Sequence, residues 1–316
     1  MNAAPRLSIG LPVYNGEKYL AESLDALLGQ SYGDYKLIIS DNASTDGTEE
    51  ICRQYLAKDS RLSYYRQPVN IGATPNHNWT FEHSSTELFK WASYDDLYGR
   101  DLLARCIEAL DDDPHLVLAH AYQAIIDGAG DIVLEVDYPL DTTNPHAPDR
   151  FRSLLFDVGG DDFYGVMRSD ILRRTPLNGS YHHSDRTIMA ELALYGRFHQ
   201  VPELLFFRRD HPDRAERAKP TIRSRSANME PSRASRLRNP TVRLIGEYVG
   251  GFVGGIRRAP LSSADRRECY GHLTRWLASR AVRRSTGRIE DSKPDAAPTA
   301  IPDSSAVAGQ RRVAEG

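Results

Sequence analysis

The chain has 316 residues and a mass of 35.4 kDa, a length typical of one large domain with an extension. Its 40% hydrophobic and 26% charged residues exclude a largely disordered, collagen-like or integral membrane protein. The net charge of −3 conceals a partition, because residues 1–207 carry 17 Lys and Arg against 31 Asp and Glu, whereas residues 208–288 carry 20 against 7. This partition indicates two physical roles.

Short apolar runs alternate with helical patterns in the first part of the chain. We predict strands at Leu7–Val13, Tyr35–Ser40, Leu62–Arg66, Leu88–Ala92 and Leu116–Tyr122. Helices are predicted from Leu20 to Gln30 and at Thr48–Leu56, Thr74–Phe81 and Leu102–Leu110. Asp46 and Glu49 have the spacing of a capping box for the second helix. The alternation predicts an α/β domain with a mostly parallel sheet, whose ligands bind outside the carboxyl ends of the strands.

Beyond residue 130 the pattern is looser. We predict strands at Ile132–Val136, Asp162–Met167 and Glu203–Arg208, and helices near Arg150–Phe156 and at Ser184–Tyr195. This predicts a main domain over residues 1–212. Residues 213–240 are rich in Arg, Ser and Pro without periodicity, which indicates a basic linker. A basic helical extension is predicted over 241–284 and a disordered tail over 285–316.

The cysteines and the N-terminus indicate the cellular compartment. Cys52, Cys106 and Cys269 are odd in number and far apart, which fits neither a disulfide framework nor a zinc site. Buried free thiols are typical of a reducing cytosol. The first residues lack an apolar signal core, and no window approaches the roughly 18–20 apolar residues of a membrane span. We therefore expect a cytoplasmic protein.

Polar side chains follow four of the predicted strands. The segments are Pro12-Val13-Tyr14-Asn15, Ser40-Asp41-Asn42-Ala43-Ser44-Thr45-Asp46-Gly47-Thr48, Asn70-Ile71-Gly72 and Ser93-Tyr94-Asp95-Asp96. No G-x-G-x-x-G follows the first strand and no G-x-x-x-x-G-K-[ST] occurs, which disfavours a dinucleotide oxidoreductase and a P-loop NTPase. The carboxylates of Asp95 and Asp96 can neutralise a diphosphate instead, by holding Mg²⁺ or Mn²⁺.

These segments resemble family 2 glycosyltransferases of the GT-A fold, over about residues 5–212. The most specific part is the Asp-Asn-x-Ser-x-Asp-Gly-Thr segment that starts at Asp41. The resemblance implies a Rossmann-like sheet flanked by helices and a nucleotide-diphosphate sugar as donor, either a UDP- or a dTDP-sugar. It also implies transfer to a hydroxyl of a cell-surface glycan, glycolipid or secondary metabolite, with inversion of the anomeric centre.

The resemblance implies a donor and metal site at the strand ends. Its donor-binding positions are Pro12, Val13, Asn15, Asp41, Asn70, Gly72 and Asp95. Asp41 would accept a hydrogen bond from the nucleotide base. Mg²⁺ or Mn²⁺ would be held by Asp95, Asp96 and His211, the last in an Arg-x-His segment. Ser93 stands where many relatives carry an acid.

The resemblance also implies a base, Asp185, at the start of the Ser184–Tyr195 helix. Ser184 replaces the Glu that usually precedes this residue. Asp185 would take the proton of an acceptor hydroxyl while that hydroxyl attacks the anomeric carbon opposite the nucleotide, through an oxocarbenium-like centre. The metal and His211 would stabilise the charge on the departing diphosphate.

The same residues have purely structural interpretations. Asp41 can simply cap a turn, as aspartate often does. Asp185 can be an acid in the first turn of a helix, where the helix macrodipole favours a negative charge. Asp95 and Asp96 can be solvated acids before a helix. His211 can be an ordinary turn residue.

Two other functions compete with glycosyl transfer. A sugar-1-phosphate nucleotidyltransferase shares the nucleotide-binding α/β architecture, but its Gly-rich, Arg- or Lys-bearing loop is missing after Leu7–Pro12. A non-catalytic scaffold that binds nucleotide sugars is disfavoured by the presence of Asp95, Asp96 and Asp185.

Residues 208–288 are interpreted either as a solvated basic surface or as a contact with anionic membrane or a lipid-linked acceptor. The segment has few aromatic residues and no recognisable nucleic-acid-binding module, so we expect no nucleic acid as a partner. The expected partners are the donor, a glycan or lipid-linked acceptor, and the cytoplasmic face of a membrane.

Overall fold

The computed structural model describes residues 5–136, 138–157, 162–214, 218 and 221–285. Nine strands form one sheet in this part of the chain. They are β1 (Leu7–Val13), β2 (Tyr35–Asp41), β3 (Leu62–Arg66), β4 (Leu88–Trp91), β5 (Leu97–Tyr98), β6 (Leu116–Ile126), β7 (Ile132–Val136), β8 (Val166–Arg168) and β9 (Arg197–Arg209). Their order is β3-β2-β1-β4-β8-β6-β9-β5, and β7 pairs with β6.

Ten α-helices connect or cover the described strands. They are α1 (Leu20–Leu28), α2 (Thr48–Leu56), α3 (Ala73–Glu82), α4 (Leu102–Asp112), α5 (Ala147–Phe156), α6 (Ser169–Leu172), α7 (Ser184–Tyr195), α8 (Ile222–Met229), α9 (Thr241–Arg258) and α10 (Ser263–Ser285). Short 3₁₀ turns occur at Asp162–Tyr164 and Pro231–Ala234. None of these helices is both long and apolar enough to cross a membrane.

The sheet is parallel where it carries the predicted βαβ units. Strands β3, β2, β1 and β4 run parallel, with Val13 opposite Asp41 and Asp41 opposite Arg66, so their carboxyl ends meet at one edge. The other half is mixed, because β8 is antiparallel to both β4 and β6 while β9 is parallel to β6. Apolar periodicity reports burial rather than strand direction, so the sequence did not reveal this change.

Several local predictions differ from the structure, and β9 begins six residues before the strand predicted at Glu203–Arg208. The strand predicted at Asp162–Met167 is a 3₁₀ turn followed by the three-residue strand β8. The capping box predicted before α2 does not form: the Thr48 N–H and hydroxyl donate to Asp46 Oδ1 at 3.1 and 2.6 Å. Glu49 instead accepts from Arg53 at 2.6 Å, because the two side chains face each other one helical turn apart.

Helix α8 lies where a linker without regular structure was predicted. Thr221 and Ser224 cap it reciprocally, each side-chain oxygen accepting from the other residue's N–H at 3.0 Å. A serine here replaces the Glu or Gln of the usual capping box, which explains why the sequence signal was missed. The predicted tail from residue 286 onward lies outside the described residues.

The C-terminal helices share a hydrophobic core with the rest of the chain. Helix α9 packs on α7 and α10 packs on α5, and Phe252, Ile256 and Trp276 are buried in this core. Gly255 allows the close approach, since a Cβ there would lie 3.1 Å from Glu191 Cβ. The Arg258 guanidinium then donates to both carboxylate oxygens of the buried Glu191, at 2.8 and 2.7 Å.

The three cysteines are free and buried, as their spacing predicted. Burial raises the pKa of the Cys52, Cys106 and Cys269 thiols to about 12. They are therefore packed as small apolar side chains.

Candidate active site

The loops after β1 and β2 are joined by hydrogen bonds into one unit at the carboxyl edge of the sheet. The Asn15 N–H donates to Ser44 Oγ at 2.9 Å, and the Thr45 N–H donates back to Asn15 Oδ1 at 2.9 Å. The Gly16 N–H donates to Thr48 Oγ1 at 2.8 Å. Asn15 adopts a φ of 51°, a left-handed conformation that asparagine tolerates better than most residues. The structure thus brings the first two sequence motifs together.

Asp41 lies at the end of β2 with no exposed surface. Its Oδ1 accepts from the Ser44 N–H at 2.8 Å, which is the turn-capping contact that the structural interpretation predicted. Its Oδ2 accepts from Tyr64 Oη at 2.7 Å and from Arg66 Nη1 at 3.0 Å. An ionised carboxylate offers about four acceptor positions, so these three bonds leave room for a further donor.

Tyr64 and Arg66 were missed by sequence reasoning. They stand two positions apart on β3 and therefore point to the same face of the sheet. The alternation along β3 was the available sequence signal for a shared face. It could point to Asp41 only after the pairing of β3 with β2 was known.

The segment after β3 is anchored to the same edge. Asn42 Nδ2 donates to Asn70 Oδ1 at 3.1 Å, and the Gly72 N–H donates to the same oxygen at 2.9 Å. Gly72 has a φ of 96°, and a Cβ there would lie 2.3 Å from the Met229 carbonyl oxygen at the end of α8. The segment is therefore held between the β2 loop and α8.

The remaining donor-site predictions differ in exposure. Pro12 and Val13 are buried within β1, whereas Asn15 and Asn70 are exposed to solvent at the strand ends. Of these four residues, Asn15 and Asn70 offer an accessible polar side chain, and the donor contacts of all four remain predictions.

The structure brings Asp95, Asp96 and His211 together from distant parts of the chain. His211 Nε2 lies 3.0 Å from Asp95 Oδ2, and Ser93 Oγ donates to Asp95 Oδ1. Asp96 Oδ1 accepts from the Arg209 N–H at 2.9 Å. Asp95 is 6% exposed and Asp96 0%, so neither is the solvated surface acid of the structural interpretation.

Two arginines that the sequence analysis did not assign to the site complete this cluster. The buried Arg209 donates from Nε to the Asp95 carbonyl at 2.9 Å and from Nη2 to Glu22 Oε2 at 2.6 Å. Arg214 Nη1 lies 3.2 Å from Asp96 Oδ1. Burial by itself would raise the pKa of Asp95, but the His211 hydrogen bond and the charge of Arg214 outweigh it and hold that pKa below its usual value.

The chemistry of the cluster fits a divalent cation. A carboxylate accepts only, so His211 Nε2 carries the proton shared with Asp95 and leaves an electron pair on Nδ1. That Nδ1 is buried without a hydrogen-bond partner in the described part of the chain. Mn²⁺ accepts both oxygen and imidazole ligands, and an ion shared by Asp95 and His211 would replace the proton between Asp95 Oδ2 and His211 Nε2. Arg214 would have to leave Asp96 for a metal to bind there.

Asp185 belongs to a different element of the fold. It is exposed in the first turn of α7, close to His77 of α3 and Tyr248 of α9. Burial lowers the pKa of His77, and the Asp185 carboxylate opposes that shift. In the preceding loop the ring centroids of His182 and His183 lie 3.5 Å apart. The role of Asp185 as a base remains a prediction.

Solved structures share this fold. Staphylococcus aureus TarS, residues 1–349 in complex with UDP, superposes with a TM-score of 0.53 at 16% identity, over 88% of this chain and 91% of that one. The mannosyltransferase PcManGT from Pyrobaculum calidifontis, in complex with GDP-Man and Mn²⁺, gives a TM-score of 0.51 at 16% identity, over 90% and 88%. The fold is therefore the GT-A fold that the motifs implied.

Sequence comparison points to the same family. An uncharacterized glycosyltransferase of Haemophilus influenzae is 32% identical over 126 residues, which are 40% of this chain and 50% of that protein. The chain spans half or less of the length of the curated relatives it matches. The model of glycosyl transferase family 2 matches residues 8–172, more than half of the chain and all four strand-end motifs. The chain therefore belongs to glycosyltransferase family 2.

Proposed function

We propose that this protein transfers a sugar from a UDP- or dTDP-sugar to a hydroxyl acceptor, with inversion of the anomeric centre. The observation that carries the proposal is the buried cluster of Asp95, Asp96 and His211, set beside the Asp41 loop at one edge of the sheet. The nucleotide-sugar donors named for TarS and PcManGT support this class of substrate.

The donor would bind across the carboxyl ends of β1 and β2. The three bonds to Asp41 leave about one acceptor position, which the base would reach once the loop that buries this carboxylate opens. The exposed Asn15 and Asn70 flank it with amide groups. A divalent cation held by Asp95, Asp96 and His211 would supply positive charge for the departing diphosphate. Arg214, whose Nη1 lies 3.2 Å from Asp96 Oδ1, would exchange this contact for one with the diphosphate.

The acceptor would approach the exposed start of α7. Its hydroxyl oxygen forms the new bond to the anomeric carbon, and the bond from that carbon to the diphosphate oxygen breaks. Asp185 takes the hydroxyl proton, and the nucleoside diphosphate leaves with the electron pair. A single displacement from the opposite face inverts the configuration.

Donor binding is tested first. Calorimetric titration of the full chain with UDP-, dTDP- and GDP-sugars, with and without Mn²⁺, should give Mn²⁺-dependent binding of a UDP- or dTDP-sugar. Transfer to an acceptor panel follows, with nucleoside triphosphate plus sugar 1-phosphate as a parallel reaction. Release of pyrophosphate from nucleoside triphosphate and sugar 1-phosphate, without sugar transfer to any acceptor, would identify a nucleotidyltransferase. Donor binding without turnover in either reaction would identify a scaffold.

Asp185→Asn then tests the base. We expect unchanged donor affinity and a loss of turnover of roughly 10²- to 10⁴-fold, the usual range for a general base. Asp170→Asn is the matched control, because Asp170 is also an exposed acid in the first turn of a helix. Wild-type turnover in Asp185→Asn would remove this residue from the mechanism.

A second proposal concerns the basic segment, which we infer binds an anionic membrane through the turn before α9. Leu237 is 95% exposed between the exposed Arg236 and Arg238, and Val242 is 81% exposed beside Arg243. Apolar side chains among arginines match an anionic interface, where each basic residue gains about 1 kcal/mol.

Vesicle co-sedimentation of the full chain tests this contact. We expect pelleting with anionic but not with neutral vesicles, and loss of pelleting in Leu237→Ser. Val69→Ser is the control, since Val69 is 62% exposed in the loop after β3. Equal pelleting of wild type and Leu237→Ser would show that this turn is not the contact.

A further inference from the structure

Helix α9 of the C-terminal segment packs along α7, the helix that carries Asp185 in its first turn. A Cβ at Gly251 would lie 3.0 Å from Thr187 Cγ2. One turn later, a Cβ at Gly255 would lie 3.1 Å from Glu191 Cβ. Because both helices advance by four residues between these close contacts, they run parallel to each other at this interface.

The same register, continued one turn toward the N-termini, brings Tyr248 of α9 to the start of α7. The ring contact agrees with this register, since the centroids of Tyr248 and His183 lie 6.1 Å apart. Burial raises the pKa of Tyr248 to about 12, and the Asp185 carboxylate adds to this shift. The charges of Arg186 and Arg280 oppose it. Tyr248 therefore stands beside the exposed carboxylate of Asp185.

The hydrophobic core holds the Tyr248 ring in place from behind. Its centroid lies 5.1 Å from that of Phe252 and 5.9 Å from that of Trp276. These two rings are only 1% and 4% exposed, whereas Tyr248 itself is partly buried. A ring that is already fixed loses little conformational entropy when a ligand packs against it.

Another ring close to Asp185 belongs to His77 of α3. Its Nδ1 lies 2.8 Å from the Ala73 carbonyl oxygen, which can only accept. In the neutral ring the proton therefore stands on Nδ1, and Nε2 keeps an electron pair that can accept a hydrogen bond. Helix α3, the loop before α7 and helix α9 thus each place a ring near one exposed carboxylate.

A sugar ring matches the chemistry of these side chains. It presents C–H groups on its faces and hydroxyl groups around its edge. Its face can pack on an aromatic ring while an edge hydroxyl donates to a neighbouring carboxylate, which combines apolar contact with a few directed polar groups. A small alcohol has no such face to pack on the ring.

We propose that Tyr248 and His183 form one wall of the acceptor site, and that the acceptor is a sugar whose ring packs on Tyr248 with a hydroxyl directed to Asp185. This inference rests on the proposed function, because it takes Asp185 as the base. The four strand-end motifs lie within residues 8–172, which the family model matches, whereas this wall lies beyond them. The C-terminal segment would thus select the acceptor.

Transfer kinetics of the full chain test the wall. The probe acceptors are methyl hexosides and methyl N-acetylhexosaminides, and the donor is the nucleotide sugar that binds in the calorimetric titration. Tyr248→Leu should raise the KM for the accepted glycoside about 3- to 10-fold, with kcat within about twofold of wild type and with unchanged donor affinity. Tyr248→Phe keeps the ring and should keep the wild-type KM.

Tyr270→Leu is the matched control, because Tyr270 is another partly buried tyrosine of the C-terminal helices and packs against the same core. His183→Asn covers the case that the Tyr248 variants do not fold, since His183 is exposed and its φ of 61° suits asparagine. It should also raise the acceptor KM. An unchanged KM in Tyr248→Leu and His183→Asn, or an equal rise in Tyr270→Leu, would overturn the assigned wall.

The donor titration separates failure of this inference from failure of the proposed function. If the wild type binds the donor but transfers to none of the glycosides, the assignment of a sugar acceptor is wrong while the donor site stands. If it binds no nucleotide sugar, the proposed function is refuted, and this inference with it.

Discussion

Lys90 carries its ammonium group in the core of the sheet, near the end of β4 and shortly before Asp95 and Asp96. The side chain has no exposed surface, and Nζ donates to the Tyr164 carbonyl. Nζ also lies 5.2 Å from the Tyr98 ring centroid and 5.8 Å from that of Phe206. Burial lowers the pKa of Lys90 from its ordinary value of 10.5 to about 8, although the charge of Asp96 opposes the shift.

The lowered pKa makes stability depend on pH in a defined direction. Between about pH 8 and pH 10.5 the unfolded chain holds the Lys90 proton more tightly than the folded chain, so stability rises with pH in this window. The gap between the two pKa values corresponds to about 3 kcal/mol at roughly 1.4 kcal/mol per pH unit. Of this, roughly 2 to 3 kcal/mol should appear between about pH 7 and about pH 10.

Lys90→Met measures this contribution. Urea unfolding of both proteins across this pH range should show the wild type gaining roughly 2 to 3 kcal/mol relative to the variant as the pH rises. The lost hydrogen bond to Tyr164 adds a constant offset, and the other titrating groups cancel in the difference. Lys36→Met is the control, because Lys36 is an exposed lysine on β2. A pH-independent difference between wild type and Lys90→Met would refute the reasoning.

Three further substitutions test the packing and the site. Arg258→Ala leaves the Glu191 carboxylate buried without its bidentate partner, so urea unfolding should show the free energy of unfolding lowered by about 1 to 3 kcal/mol. The same substitution should lower it by less when Glu191→Gln is already present. Additive losses would show that the two side chains are not coupled. Gly72→Ala places a Cβ 2.3 Å from the Met229 carbonyl oxygen at the end of α8, at a residue whose φ is 96°. The free energy of unfolding should therefore fall by about 2 to 4 kcal/mol. An unchanged value would show that α8 can move away without loss of stability. His211→Asn removes the proposed imidazole ligand and the donor to Asp95, so calorimetry should show Mn²⁺ affinity about 10- to 100-fold lower. Unchanged affinity would place His211 outside the proposed metal site.

The separation of an acidic first two-thirds from a basic last third of the chain has a partly structural explanation. Several arginines of the basic last third pair with acids of the first two-thirds, as Arg258 does with Glu191 and Arg209 with Glu22. These pairs fasten the C-terminal helices and the end of β9 to the rest of the fold. Other arginines of the basic segment stay exposed, among them Arg236 and Arg238 on either side of Leu237.

The sequence by itself determined most elements and the edge of the sheet that carries the site. The pattern of apolar residues predicted α7 at Ser184–Tyr195 and β1 at Leu7–Val13 correctly. The positions that face the core recur along a helix or strand with the period of that element, and apolar residues occupy them. The strand-end motifs predicted the edge at which Asp41, Asp95 and Asp96 lie. Periodicity failed where the pattern was short or capped by an unusual residue, as at β8 and α8.

Only the tertiary structure decided which of these groups face one another. His211 contacts Asp95 and Arg209 contacts Asp96 across more than 110 positions of sequence, because β9 pairs with β5 and ends beside the turn between β4 and β5. The burial of His272 against Glu268 likewise depends on how α10 packs on α5. Local preferences act over a few residues, whereas hydrogen bonds and ion pairs between distant segments exist only after strand order and helix packing have closed the core.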